Sequence, residues 1–146
     1  MKALNLQEKF FTGILLFFIL MFSGCRDKMY NDIQKAPEPL QKVIEQYMLE
    51  KRYVRNCVYI GLKKEYVGDY FVAGEIYGDK MSGTVVGVWI VDKLENPESV
   101  LSVNQAAVVF STAQPVKKFK PKATFNLKEA RMIRNFIEQK LYKKFK

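Results

Sequence analysis

The sequence predicts a small α+β domain with a helix at each end and an antiparallel sheet of about four strands between them. Apolar residues at helical spacing line one side of both end segments, and the sequence between them is rich in strand-forming residues. The first three strand-like segments have short connections, which favour antiparallel neighbours because a parallel pair needs a long crossover. The order α-β-β-β-β-α is typical of helices packed on an antiparallel sheet.

The first helix is predicted over residues 39–51. Pro39 can begin it, because the fixed φ angle of proline suits the first turn of a helix. The apolar residues that follow share one face: Leu40, Val43, Ile44, Tyr47 and Met48. We expect this face to pack on the sheet.

Four strands are predicted to follow, over residues 53–62, 66–77, 84–91 and 104–112. In the third strand, the long apolar run from Val85 to Val91 indicates burial on both faces of the sheet. In the first strand, the alternation predicts that one face is more buried than the other. The residues of that face are Val54, Asn56, Val58, Ile60 and Leu62. The fourth strand is predicted from the alternation of Ala106, Val108 and Phe110.

The last helix is predicted to begin after Asn126. This residue can cap the helix, and Glu129 three residues later completes a pattern close to a capping box. A broad apolar side at helical spacing follows: Ala130, Ile133, Phe136, Ile137, Leu141 and Phe145. We expect this helix to cover the sheet.

The first 25 residues are typical of a targeting segment rather than of a folded domain. Lys2 and Lys9 give a positive start, and an apolar run follows over residues 10–22. As a helix this run would span about 20 Å, which is short for a bilayer core of about 30 Å. A positive start, a short apolar run and small residues at its end are typical of a secretory signal.

The segment ends with Phe22-Ser23-Gly24-Cys25, which resembles the lipobox of bacterial lipoproteins. In that family a peptidase cuts before the cysteine, whose thiol carries a diacylglycerol. The resemblance implies cleavage between Gly24 and Cys25, acyl chains such as palmitate on Cys25, and a place in the bacterial envelope. It implies the outer membrane if the source is Gram-negative. A plain secretory signal and an uncleaved anchor are the alternatives.

We therefore expect three regions in the chain. Residues 1–24 are a cleaved signal peptide, and residues 25–38 are a polar spacer that holds the domain off the membrane. Residues 39–146 form one α+β domain with a basic C-terminal helix.

The composition argues against catalysis. The chain has no histidine, so the commonest general base and the commonest metal ligand are both missing. Once Cys25 is acylated, Cys57 is the remaining thiol, and we expect it to pack as a small apolar residue in a strand. A nucleophile or an intermolecular bridge is the alternative role for Cys57. We expect no catalytic residues, no metal site and no cofactor.

Two carboxylates share one stretch of the predicted second strand. Asp69 and Glu75 follow the same alternation as Phe71 and Ala73, but they are too far apart in sequence to act as a close pair. We expect both carboxylates to be exposed to solvent.

Positive charge is concentrated near the C-terminus. Eleven of the 24 Lys and Arg residues lie in residues 117–146, with only two of the 15 acidic residues. They can form a solvated helix face that suits the helix dipole, a contact with anionic lipids, or a docking surface for an acidic protein or a polyanionic glycan. The candidate contact residues are Lys117, Lys118, Lys120, Lys122, Lys140, Lys143, Lys144 and Lys146. Nucleic acid is not an expected partner of an exported chain.

The leading hypothesis is a non-catalytic, lipid-anchored envelope lipoprotein whose domain binds a protein partner or supports an envelope assembly. Tyrosines and Trp89 in the sheet region favour this reading because such residues are frequent in binding surfaces, although core packing explains them as well. The alternatives are an inhibitor or immunity-type lipoprotein that neutralises a toxin or a wall-degrading enzyme, and a small envelope enzyme.

Overall fold

The computed structural model describes residues 32–62, 69–120 and 127–144. In these ranges the elements are β1 (Gln34–Lys35), α1 (Glu38–Gln46), β2 (Arg52–Gly61), β3 (Tyr70–Gly78), β4 (Val85–Val91), β5 (Val100–Ser102), α2 (Gln105–Phe110), β6 (Gln114–Pro115), a 3₁₀-helix (Val116–Lys118) and α3 (Lys128–Lys144). The predicted signal peptide, Cys25, Lys122, Asn126, Phe145 and Lys146 lie outside the described residues. The side chain of Lys144 also lies outside them.

The α+β class is confirmed, but the sheet is larger than predicted. It has six strands in the order β1-β2-β3-β4-β5-β6. Neighbouring strands are antiparallel except β5 and β6, which are parallel. The two edge strands have two residues each, which is too short for an alternating sequence pattern to reveal them.

The sheet separates two clusters of buried side chains. On the α3 face, Ala130, Ile133 and Ile137 of α3 pack in one cluster with Phe71 and Val88 of the central strands. On the α1 face, α1 and α2 contribute Leu40, Ile44 and Ala107 to a cluster with Val72 and Trp89. The predicted burial of the third strand on both faces is therefore confirmed in β4, where residues 86–91 are all buried.

Four residues of the predicted buried face of the first strand are buried, namely Val54, Val58, Ile60 and Leu62. Asn56 is exposed and Val54 lies on the opposite face from the other three, because β2 contains a bulge. The register with β3 shifts between Arg55 and Val58, and Asn56 has a φ angle of 52°, in the left-handed region that asparagine tolerates. One extra residue turns the rest of the strand over. Val54 and Cys57 therefore lie on the α1 face, whereas the apolar residues after the bulge lie on the α3 face.

Gly74 makes room for this bulge on the neighbouring strand. A Cβ atom at this position would lie 2.5 Å from Cγ2 of Val54 and 2.7 Å from Sγ of Cys57. Because glycine has no side chain, both residues of the bulged strand can pack over one residue of β3. The bulge therefore depends on a glycine that is distant in sequence.

The predicted fourth strand, residues 104–112, is wrong. Residues Gln105–Phe110 form α2 instead, and the partner of β4 is the earlier segment Val100–Ser102. Asn104 caps α2, since its Oδ1 accepts hydrogen bonds from the backbone N–H groups of Ala107, at 3.1 Å, and Val88, at 2.9 Å. Its side-chain amide donates to the Val86 carbonyl at 2.8 Å. The Asn104 side chain therefore bonds backbone groups of β4 that a neighbouring strand would otherwise pair with.

The first helix is shorter than the predicted range 39–51. It ends at Gln46, and the Tyr47 carbonyl then accepts a hydrogen bond of 2.7 Å from the Thr112 backbone N–H. Lys51 has a φ angle of 60°, which a continuing helix does not allow. The folded domain also begins earlier than residue 39, because β1 pairs with β2 and Ala36 is buried. Residues 34–38 of the predicted spacer therefore belong to the folded domain.

The last helix is confirmed as an apolar-sided helix. Ala130, Ile133 and Ile137 are fully buried, and Phe136 and Leu141 pack partly buried beside them. Across the described residues, no helix combines the length and the apolar character that crossing a bilayer requires.

Candidate binding surfaces

Two ends of the sheet carry different polar groups. β3 has Asp69 just before its first residue and Gly78 as its last, so we call these the Asp69 end and the Gly78 end. The C-terminal half of α3 lies toward the Gly78 end, since Glu138 and Leu141 line a cavity with Gly83 and Thr84, which lead into β4.

The Gly78 end carries a cluster of Tyr53, Arg55, Glu75 and Tyr77, which we call the tyrosine–arginine cluster. Tyr53 lies opposite Tyr77 and Arg55 opposite Glu75 in the register of β2 and β3. Arg55 Nε lies 2.9 Å from Glu75 Oε2, and the guanidinium carbon lies 4.6 Å from the Tyr77 ring centroid. The two tyrosine ring centroids are 5.6 Å apart. Tyr53 is 50% exposed, so this ordered cluster is accessible to a partner.

The predicted exposure of Glu75 is wrong. Its side chain is 2% exposed, whereas that of Arg55 is 49% exposed. Glu75 lies on a central strand under α3, and burying a carboxylate is unfavourable unless a cation and hydrogen bonds compensate. Arg55 supplies that compensation from the neighbouring strand.

A cavity of about 380 Å³ lies beside Glu75. Its walls come from β1, β2, β3 and α3, and include Gln34, Lys35, Asn56, Phe136 and Lys140. Lys140 Nζ lies 4.4 Å from the Phe136 ring centroid. The cavity therefore joins a buried carboxylate to an exposed basic side chain on α3.

A larger cavity of about 820 Å³ lies between the start of β4, the start of α2 and the C-terminal half of α3. Its charged wall is an ion pair of 2.7 Å between Arg134 and Glu138. The polar atoms of Asn104 in this wall are already bonded to β4 and α2. Sequence reasoning missed this cavity because three distant segments form it.

The predicted exposure of Asp69 is also wrong. Asp69 is 9% exposed, and its carboxylate forms an ion pair with Lys120 Nζ. Six residues along a strand span about 20 Å, so Asp69 and Glu75 do not form a pair of carboxylates. Each instead has its own basic partner.

The residues before Lys120 form an exposed tip at the end of the 3₁₀-helix. Phe119 is 55% exposed, and Lys117 and Lys118 are exposed beside it. The tip is anchored by Val116, which is 2% exposed and whose carbonyl accepts hydrogen bonds from the backbone N–H groups of Phe119 and Lys120. We call Lys117, Lys118, Phe119 and Lys120 the basic tip.

The predicted basic residues therefore fall into two separate groups among those described. Lys117, Lys118 and Lys120 belong to the basic tip, whereas Lys140 and Lys143 are exposed in the last turns of α3. Lys120 is held by Asp69 at one end of the sheet, and Lys140 lines a cavity with Glu75 nearer the other. The sequence predicts one basic region. In the structure, the C-terminal half of α3 lies toward the Gly78 end, so its lysines are separated from those of the basic tip.

Cys57 packs as expected, as a small buried residue. It is 2% exposed in the cluster on the α1 face. Burial raises the pKa of its thiol to about 12, and the carboxylates of Glu45 and Glu75 act in the same direction. A thiolate is the nucleophilic form of cysteine, so burial and the raised pKa both disfavour the reactive form of Cys57.

The described residues contain no group of three or more Cys, Asp or Glu side chains that could hold a metal ion. Comparisons of the chain with protein-family models, with curated proteins and with solved structures found no match.

Proposed function

We propose that this chain is a non-catalytic bacterial envelope lipoprotein, anchored through a lipid on Cys25, whose domain binds an acidic protein partner. The membrane is the outer membrane if the source is Gram-negative. The anchor is supported by the lipobox-like Phe22-Ser23-Gly24-Cys25 after a short apolar run. The observation that carries the binding function is the tyrosine–arginine cluster. In it, the exposed Tyr53 packs beside Tyr77, and Arg55 is held by Tyr77 and Glu75.

The residue types in this cluster favour protein binding. Tyrosine and arginine are enriched among the residues that dominate interface energies, because they bring a large rigid contact area with a polar end. Arg55 is held by Glu75 and by the Tyr77 ring before any partner arrives. The Arg55 side chain would therefore lose little conformational entropy when a partner binds it.

The charges around the cluster favour an acidic partner. Lys35 and Lys140 are exposed at the neighbouring cavity, whose one acidic lining residue among those described, Glu75, is buried and paired with Arg55. Lys51 and Lys80 are exposed where β2 begins and where β3 has ended, each next to an exposed carboxylate, Glu50 and Asp79. Complementary charge raises the association rate and selects between partners. An acidic protein surface therefore fits this end of the domain.

The proposal is tested by photo-crosslinking in intact envelopes. We would place p-benzoylphenylalanine at Tyr53 in the full chain, and place it at Phe119 as a matched control with similar exposure at a different place on the surface. We expect an acidic envelope protein to crosslink from position 53 and not from position 119. The Tyr53→Ala variant should recover the same protein at least about tenfold less well in pull-down, since a central interface tyrosine contributes more than 1.4 kcal/mol.

Crosslinks that are absent from position 53, or that are identical at both positions, would contradict a partner surface at this cluster. A captured toxin or wall-degrading enzyme would define the function as that of an inhibitor or immunity-type lipoprotein.

A further inference from the structure

The chain enters the domain at the Asp69 end of the sheet. β1 is antiparallel to β2, with Gln34 opposite Tyr59 and Lys35 opposite Val58. The residues that precede β1 therefore lie toward the end of β2, where Gly61 pairs with Tyr70. Tyr70 directly follows Asp69, the residue that binds Lys120 of the basic tip.

The length of chain before β1 limits how far this end can lie from a lipid on Cys25. Asp32 lies seven positions after Cys25. At about 3.4 Å per residue, even a fully extended chain of this length reaches only about 24 Å. The Gly78 end lies farther along β3 by about 30 Å. In a protein anchored at Cys25, the domain therefore cannot stand upright on its Gly78 end, whereas its Asp69 end can reach the membrane.

We propose that the basic tip docks on the anionic lipid head groups of the membrane that holds the anchor, with the Phe119 ring inserted between them. This inference rests on the proposed lipid at Cys25. An exposed aromatic ring next to lysines is suited to this surface, because the ring enters the boundary of the acyl region while the ammonium groups meet the phosphates. Phe119 is the most exposed large apolar side chain among the described residues.

The tip is held in place rather than loosely attached. Val116 fixes its base in the core of the α3 face, and the Lys120–Asp69 ion pair fixes its last residue to the sheet. Because Lys120 is engaged with Asp69, the charges offered to lipid are those of Lys117 and Lys118. Lys118 Nζ lies 5.5 Å from the Phe119 ring centroid, so charge and ring are presented together.

Docking of this tip would set the orientation of the domain. The tyrosine–arginine cluster lies toward the Gly78 end of the same sheet. With the Asp69 end on the lipid surface, the cluster would face away from it, where a partner can reach it. Without this second contact, the reach of the chain from Cys25 would limit the orientation of the domain but would not fix it.

The test uses the full protein, extracted from the membranes of its host and reconstituted in vesicles of phosphatidylglycerol with brominated acyl chains, which quench nearby tryptophan. Phe119→Trp places a reporter in the tip. Trp89 is 0% exposed and serves as an unquenched internal reference. Val109→Trp is the matched control, since Val109 is 47% exposed on α2, away from the tip.

We expect the tryptophan at position 119 to be quenched several-fold more strongly than the one at position 109. Replacing Lys117 and Lys118 with glutamine should weaken anionic-vesicle docking about fivefold for each lysine. High salt should have the same effect, because ions screen contacts between exposed charges.

Flotation of the vesicles separates the two proposals. If the protein floats with the vesicles but positions 119 and 109 are quenched equally, the docking inference is wrong and the anchor stands. If position 119 is quenched as strongly in vesicles of phosphatidylcholine, which has no net charge, as in those of phosphatidylglycerol, the contact does not depend on anionic lipid and the inference is wrong. A wild-type protein that does not float contradicts the lipid anchor itself, and an envelope protein that crosslinks from position 119 without quenching would reassign the tip to a protein contact.

Discussion

Arg55 and Glu75 form an ion pair whose two partners differ sharply in exposure. Arg55 Nε lies 2.9 Å from Glu75 Oε2, yet the arginine side chain is 49% exposed and the glutamate side chain 2% exposed. The pair therefore has two roles in the proposed account. It neutralises a carboxylate under α3, and it orders an arginine at the surface proposed to bind a partner.

Arg55→Met should destabilise the domain by about 2 kcal/mol, because it leaves a buried carboxylate without its cation. Urea unfolding measures this loss. Lys42→Met is the matched control, since it breaks the pair with Glu38, which is 77% exposed. That change should leave the free energy of unfolding almost unchanged, because water screens an exposed i,i+4 helix pair. Equal losses in the two variants would contradict the asymmetry between the pairs.

Gly74→Ala should destabilise the domain by about 1–3 kcal/mol through overpacking. The new methyl group would overlap Val54 and Cys57 in the bulge. Gly83→Ala should change stability by less than about 0.5 kcal/mol, because a Cβ atom there meets nothing within 4 Å. Val54→Ala added to Gly74→Ala should recover part of the loss in thermal unfolding. A tolerated Gly74→Ala variant would show that the bulge does not require glycine.

Asn104→Ala should destabilise the domain by about 2–3 kcal/mol. It removes the cap of α2 and two hydrogen bonds to β4, and each contributes on the order of 1 kcal/mol. Asn104→Ser keeps a side-chain oxygen that can cap α2 but loses the amide donor to the Val86 carbonyl. Its cost should therefore be smaller. Chemical denaturation of both variants measures the difference, and an equal cost would mean that the cap is not what fixes α2.

The Cys57 thiol should make stability depend on pH in the alkaline range. Burial raises its pKa from the ordinary value of 9.0 to about 12 in the folded protein. The folded protein therefore keeps a proton that the unfolded chain loses, and stability falls as pH rises from about 9 towards 12. The stability difference between the wild type and Cys57→Ala should shrink over this range. A constant difference would contradict the raised pKa.

The parts of the fold that were predictable are those whose cause lies within one segment. The apolar side of α3 and the burial of β4 follow from patterns inside each element. The bulge in β2 does not, because it needs Gly74 on β3 as well as Asn56. The pattern at residues 104–112 was misleading because Asn104 finds its partners on β4.

The candidate surfaces were harder to predict because they depend on pairs distant in the chain. Glu75 is buried because it pairs with Arg55, which lies 20 residues away in sequence. Asp69 is buried because it pairs with Lys120, which lies 51 residues away. The sequence of one strand does not show which residues of other segments will pair with its carboxylates. It therefore predicts that both Asp69 and Glu75 are exposed, as charged residues usually are. The division of the lysines between two places likewise follows from the direction of α3 across the sheet.

Metabolic labelling with a palmitate analogue shows whether Cys25 carries a lipid. The wild-type chain and the Cys57→Ala control should both incorporate the label, because Cys57 is buried in the folded domain. Cys25→Ser should lose the label completely and should release the domain from membranes. Unchanged labelling of Cys25→Ser would contradict the lipid anchor and the membrane docking inferred from it.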